Sequence, residues 1–407
     1  MTSTWATSTV GEQFDVQLGK MLDAAKNVGV PKPYLGNRAV QWGRIDVSAG
    51  GVVPMSRADI QRYRLRDGDL LVCEGGEVGR GAIWRNELAE CYFQKALHRL
   101  RAKHGYDVRL MQALLAYWSS TGAFADFVTQ TSIAHLPREK FIQMPLPLPP
   151  QPEQGKIGDV LQDVDDLIGT LERLISKKLA IKQGIMQQLL TGSVRLPGFT
   201  EPWREVAVAE LLEFKNGLNK ASQFFGRGTP IVNFMDVMNG PIITAADVAG
   251  RVTLTRDETK RFSARCGDVF FTRTSETIEE VGTAAVLVDD IPDAAFSGFI
   301  LRGRPRSTSF DSRFLAYLFQ LDDVRRQVTA SASYTTRALT NGKSLSRVRL
   351  LTPRLDEQRA IMVAVQDAEH EIRMLSARLS KTLSVKQGIM QELLTGRTRL
   401  PNQVQPA

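Results

Sequence analysis

Lys182–Leu190 reads KQGIMQQLL and Lys386–Leu394 reads KQGIMQELL; each is followed by Thr-Gly and then Arg-Leu-Pro, at Arg195–Pro197 and Arg399–Pro401. The second copy lies 204 residues after the first, and the same shift aligns Pro149 with Pro353, Glu153-Gln154 with Glu357-Gln358, Ile157 with Ile361 and Leu171 with Leu375, without a gap. A block from about Pro149 to Pro197 is therefore present twice. In the first copy, Ile157, Val164, Leu171 and Ile185 fall on one heptad row, and Leu161, Ile168, Ile175 and Leu189 on a second. In the other copy the rows are Ile361, Ala368, Leu375 and Ile389, and Val365, Ile372, Leu379 and Leu393. Apolar residues at this period make a helix with a packing seam, not a strand. The seam is broken at matched places by Lys178 and Thr382, and by Lys182 and Lys386. Gly192 and Gly396 supply matching C-terminal caps, with proline five residues further on. A helix of about 38 residues spans roughly 57 Å, and the partner of equal length is its own copy.

Outside the helices the repeat is looser. Trp5 and Val10 find Trp203 and Val208; Gly68-Asp69 finds Gly267-Asp268; Asp107, expected to cap a helix, finds Asp311. Two globular domains of one plan thus alternate with two almost identical helices. The fold class expected is α/β, with two α/β domains and two long helices pairing as an antiparallel coiled coil in an internal pseudo-two-fold repeat. The expected boundaries are 1–149 for the first domain, 150–192 for the first helix, 193–202 for a linker, 203–353 for the second domain, 354–396 for the second helix and 397–407 for a tail. The proline run PLPLPPQP at Pro145–Pro152 reads as a stiff, non-helical entry to the first helix. Trp5–Leu22 reads as an entry loop with a short helix.

The 407 residues suggest two to four domains, and the net charge of +8 favours a polyanionic partner. Three cysteines without CxxC spacing and four scattered histidines indicate neither a disulfide framework nor a metal centre. No run of 18 apolar residues is present, so a membrane is not expected and the cytoplasm is the default location. Catalytic signatures fail in turn. Asn341-Gly342-Lys343-Ser344 contains the GKS of a phosphate loop, but Arg337 stands where its first glycine is needed. HExxH, GxSxG, and the Asn-Pro-Pro-Tyr or Asp-Pro-Pro-Tyr of an amino-methyltransferase are missing.

DNA recognition needs cations for phosphates and Arg, Lys, Gln or Asn for base edges. The first domain offers Asn37, Arg38, Gln41, Trp42 and Arg44, then His98, Arg99 and Arg101. Glu74, past a Gly-Asp turn and a strand, is a candidate acceptor from a cytosine amino group. The second offers Asn219, Lys220, Arg227 and Asn233, then Arg273 and Thr274, then Arg302, Arg304 and Arg306.

The duplicated helices, the PLPPQPEQ entry at Pro147–Gln154 and the QGIMQQLLTG run at Gln183–Gly192 resemble the specificity subunit of type I restriction-modification systems. The resemblance covers essentially the whole chain, with Thr352-Pro353-Arg354 departing from the Pro-Pro entry. It implies that each domain reads one half of a bipartite double-stranded DNA target. It further implies that the paired helices space the domains and dock two methyltransferase subunits, and that endonuclease-translocase subunits join the complex. S-adenosylmethionine, ATP and Mg²⁺ would belong to those partners, leaving this chain non-catalytic and without a cofactor. The competing readings are a coiled-coil scaffold whose domains bind protein, and a fragment of a fused methylase-nuclease.

Overall fold

The computed structural model describes residues 5–23, 27–130, 134–334 and 337–400. Of the expected tail, residues 401–407 lie outside them. The chain divides into two compact units, Met1–Arg173 with Ser376–Ala407, and Leu174–Leu375. The two long helices are Gln151–Leu190 and Leu355–Leu394, 40 residues each. Gly192 and Gly396 follow them in the left-handed region, at φ 71° and 69°, as a C-terminal cap requires.

In the first unit, an antiparallel sheet orders the strands Phe14–Leu18, Leu97–Ala102, Leu70–Cys73 and Gly81–Ile83. The helix Val108–Thr121 buries Leu110, Met111, Leu114, Leu115 and Trp118 in one core with Phe14, Val72 and Leu100. Its N-terminus is capped by Asp107, whose carboxylate accepts from the Arg109 N–H. A second sheet orders Gly51–Met55, Val30–Leu35 and Tyr92–Phe93. Trp5–Leu22 holds more strand than expected, because Ala6–Thr9 pairs with Pro145–Leu148 and a single turn, Val10–Gln13, separates it from Phe14–Leu18.

The proline run divides differently from its expected reading as wholly non-helical. Pro145–Leu148 is a strand of a two-stranded sheet, where only one edge needs donors, while Gln151 and Pro152 already belong to the helix. Proline is tolerated there because the first turn of a helix has no use for its N–H.

The second unit contains a five-stranded sheet, Leu212–Asn216, Ile300–Pro305, Val269–Thr272, Ala284–Leu287 and Ile242–Ile243. A three-stranded sheet adds Arg251–Val252, Phe225–Val232 and Ala295–Phe296. Ser312–Leu318, capped by Asp311, packs its buried face into the core.

The ends of the long helices enter these cores. Ile157, Leu161, Met390, Leu393 and Leu394 belong to the core of the first unit; Leu189, Leu190, Ile361, Met362 and Val365 belong to that of the second. Leu171 is buried, whereas Val164, Ile185, Leu375, Leu379 and Ile389 are half-buried. Lysines interrupting the seam have partners within their own unit: Lys386 meets Asp165 at 2.5 Å in the first, and Lys182 meets Glu369 and Lys178 meets Glu371 at 2.7 Å in the second. Glu369 also accepts from Tyr317 Oη at 2.7 Å.

Candidate nucleic-acid interface

Each unit is braced by an aspartate directly before a central strand. Asp69 is 1% exposed and takes two hydrogen bonds from Arg101, at 2.7 and 2.6 Å, plus the backbone N–H of Arg66. Asp268, also 1% exposed, takes the same pair from Arg304, at 2.7 and 2.6 Å, plus the N–H of Arg265. The planar fork of arginine matches a carboxylate in this bidentate way. Arg101 and Arg304, expected to face DNA, are thus committed inside their domains.

The same correction applies to their neighbours on those strands. His98 is fully enclosed, its Nε2 at 2.9 Å from the Leu136 carbonyl, and burial holds its pKa below the usual imidazole value. Arg99 is buried and paired with Asp15. Arg302 is buried, donating to the Ser263 carbonyl at 2.7 Å with its guanidinium 5.3 Å from the Phe296 ring. Burial lowers the pKa of both arginines. A charged group enclosed in protein needs its partners there, and none of these three side chains is presented to a ligand.

Other expected residues build the loops. Asn37 donates to the Gly75 carbonyl at 2.8 Å, while its own carbonyl accepts from Arg80 at 3.0 Å, which fixes the Glu74–Arg80 turn. Glu74 is half-buried; its backbone N–H bonds to Ala96 and its carbonyl accepts from Leu136. Lys220 pairs with Glu258 at 2.5 Å and lies 4.7 Å from the Phe224 ring centre. Asn233 occupies the N-cap of Phe234–Met238, with its side-chain amide on the Ile231 carbonyl. Arg273 and Thr274 are half-buried; the Arg273 backbone bonds Phe299 and Thr340, and Thr274 pairs with Leu339.

What stays at the surface of the first domain is the segment Arg38 to Arg44. Arg38 and Arg44 are exposed, and Gln41 and Trp42 are half-buried. Val40–Gln41 pairs with Arg44–Ile45 in a tight hairpin turned at Gly43, φ 67°. Trp42 Nε1 donates to Glu77 at 2.6 Å, tying the hairpin to the Glu74–Arg80 turn. Glu77 was not among the residues singled out from sequence, because nothing local pairs it with a tryptophan 35 positions away. In the second domain Asn219 and Arg227 are exposed. The set is polar and cationic and is carried on a short hairpin, a loop at Asn219 and a sheet strand at Arg227, which suits hydrogen bonding to phosphates and base edges.

Among the described residues no group of three or more His, Cys, Asp or Glu is arranged to hold a metal ion. No helix among them is long and apolar enough to cross a membrane.

Residues 2–180 match the family model of the type I restriction modification DNA specificity domain. The type I restriction enzyme MjaVIII specificity subunit of Methanocaldococcus jannaschii is 24% identical over 282 residues, covering 67% of this chain and 66% of that one, just under two thirds of its length. Among solved structures, the type I restriction-modification system S subunit from M. genitalium is 14% identical, with TM-score 0.58 over 99% of this chain and 98% of that one. A chain from a structure of complex assembly and conformational transition in the type I R-M system is 17% identical, with TM-score 0.60 over 97% and 99%. These two likenesses bear on the fold.

Proposed function

We infer that this chain, a DNA-recognising specificity subunit of the type I restriction-modification family, reads a bipartite double-stranded DNA target with one half assigned to each globular domain. What supports the division is that the domains share their internal bracing, Asp69 with Arg101 and Asp268 with Arg304, while their exposed loops differ in sequence and in conformation. Like scaffolds with unlike surfaces suit two different half-sites.

The long helices, on this reading, form an antiparallel coiled coil that sets the distance between half-sites and docks two methyltransferase subunits. The pairing is supported within the first unit by Glu153 meeting Arg399 while Asp165 meets Lys386, ion pairs that ascend the first helix as they descend from the segment after the second helix into that helix. The second unit has the same sense, with Lys182 on Glu369 and Arg195 on Glu357. The chain itself performs no chemistry; S-adenosylmethionine, ATP and Mg²⁺ are used by methyltransferase and endonuclease-translocase subunits, and the assembly works in the cytoplasm.

The test is to sequence methylated bases in cells expressing this chain with its methyltransferase. A motif of two defined halves separated by unspecified bases is expected, and the lone purified chain should transfer no methyl group from S-adenosylmethionine. Inserting one heptad into both helices adds about 10 Å, so the same halves should appear with a longer spacer and weaker binding. Methylation by the lone chain, or one uninterrupted motif, would overturn the reading.

A further inference from the structure

The strand Phe225–Val232 pairs antiparallel with Arg251–Val252, but the ladder slips, because Phe225 and Thr229 both stand opposite Val252. Gly226, Arg227 and Gly228 are extruded between them. Both glycines lie at positive φ, 94° and 97°, a region that costs other L residues energy. A Cβ on Gly228 would stand 2.7 Å from the Val252 carbonyl oxygen, whereas one on Gly226 would meet nothing within 4 Å. Close packing explains the first glycine; only the path of the chain explains the second. That path carries Arg227 outward. Bulges of this kind re-aim a side chain.

Arg227 is exposed, its backbone carbonyl accepts from Thr253 Oγ1 at 3.4 Å, and among the described residues its guanidinium has no hydrogen bond or ion pair. Its neighbours are committed: Arg251 donates to the Val248 and Gly250 carbonyls, and Lys220 is held by Glu258. The equivalent sheet of the first domain has no such feature. There Val30–Leu35 runs against Gly51–Met55 in unbroken register, and its only cation, Lys32, pairs with Glu90 at 2.6 Å. A solvated surface arginine does not need two left-handed glycines around it. A fork of five N–H donors on a narrow projection, with no protein acceptor, is suited to a base edge.

We propose that Arg227 is a specificity-determining residue of the second domain, its guanidinium reading one guanine through O6 and N7 in the major groove. Guanine offers two acceptors at the spacing of the fork, and this pairing is the commonest specific contact arginine makes with DNA. The proposal rests on the DNA-reading role inferred above.

The experiment maps the methylated motif for the complex of this chain with its methyltransferase, in wild type, Arg227→Ala and Arg227→Lys. Both variants are expected to lose discrimination at one G·C pair of one half-site, by about ten- to a hundredfold, with the other half unchanged. The affected half is the one that substitutions in Arg38–Trp42 leave alone. Melting temperatures equal to wild type keep folding out of the comparison. An even weakening across all sequences that lysine restores marks a phosphate contact and overturns the proposal; so does an unchanged motif, or a loss in the first domain's half. If wild type itself yields no bipartite motif, the underlying DNA reading fails first.

Discussion

Arg399 holds Glu153, 246 positions away, through two hydrogen bonds of 2.6 Å, while the Arg399 guanidinium lies 5.3 Å from the Trp5 ring centre and Trp5 Nε1 donates to the same carboxylate at 3.2 Å. In the other unit Arg195 holds Glu357 at 2.6 and 2.7 Å beside Trp203. One clasp is built twice. It explains why the duplicated block continues past the helix to an arginine: that residue secures the first turn of the opposite helix, where a glutamate also suits the helix dipole.

The two sides of the clasp differ in burial, with Glu153 4% exposed and Arg399 exposed. Arg399→Ala strands a buried carboxylate with one tryptophan N–H, whereas Glu153→Gln removes the buried charge and leaves an exposed cation beside the Trp5 ring. Thermal melting should show the larger loss for Arg399→Ala. Equal losses would mean that the carboxylate is hydrated in solution.

The seam leucines at matched places should not respond equally. Leu171 is 3% exposed and its truncation to Ala is expected to cost about 2–5 kcal/mol. Leu375 is half-buried, so the same change there returns less apolar surface to water and should cost less. Urea midpoints of the two single variants decide this; a larger loss at Leu375 would contradict it.

Asp311 provides a pH signature. Burial raises its pKa, but hydrogen bonds and charge from Arg313 and the Arg313 and Phe314 N–H groups outweigh that, and the net pKa lies below the ordinary aspartate value. A carboxylate depressed in the folded state adds stability that is complete above its unfolded pKa of about 3.9 and fades as pH falls through the folded value. The stability gap between wild type and Asp311→Asn should be level from pH 7 to 5 and close below about 4. A gap that widens on acidification would reverse the assignment.

Replacing Arg38, Gln41 and Trp42 together with Ala should relax or abolish one half of the methylated motif, at about 1–3 kcal/mol for each good bidentate pairing with a base that the change removes. The identity of the other half should be preserved. Methylome sequencing reads both, and a change confined to the far half would separate this hairpin from base reading.

The sequence by itself determined the long helices, because a heptad pattern repeated at a fixed offset can be satisfied by a single period, and it placed the caps at Asp107, Gly192 and Gly396, whose chemistry is local. It also determined which residue types were available for DNA. Tertiary structure alone decided which of them are free to act. Arg101 and Arg304 are as basic in the sequence as Arg38 and Arg227, yet each is taken by an aspartate, 32 and 36 positions away, at Asp69 and Asp268. Likewise, the glycines of Gly226-Arg227-Gly228 become informative only when the strand opposite them shows a slipped register. Periodicity and capping depend on neighbours within a few residues, so they can be read along the chain. Whether a cation is spent inside the fold or presented to a ligand depends on groups that only folding brings within hydrogen-bonding reach.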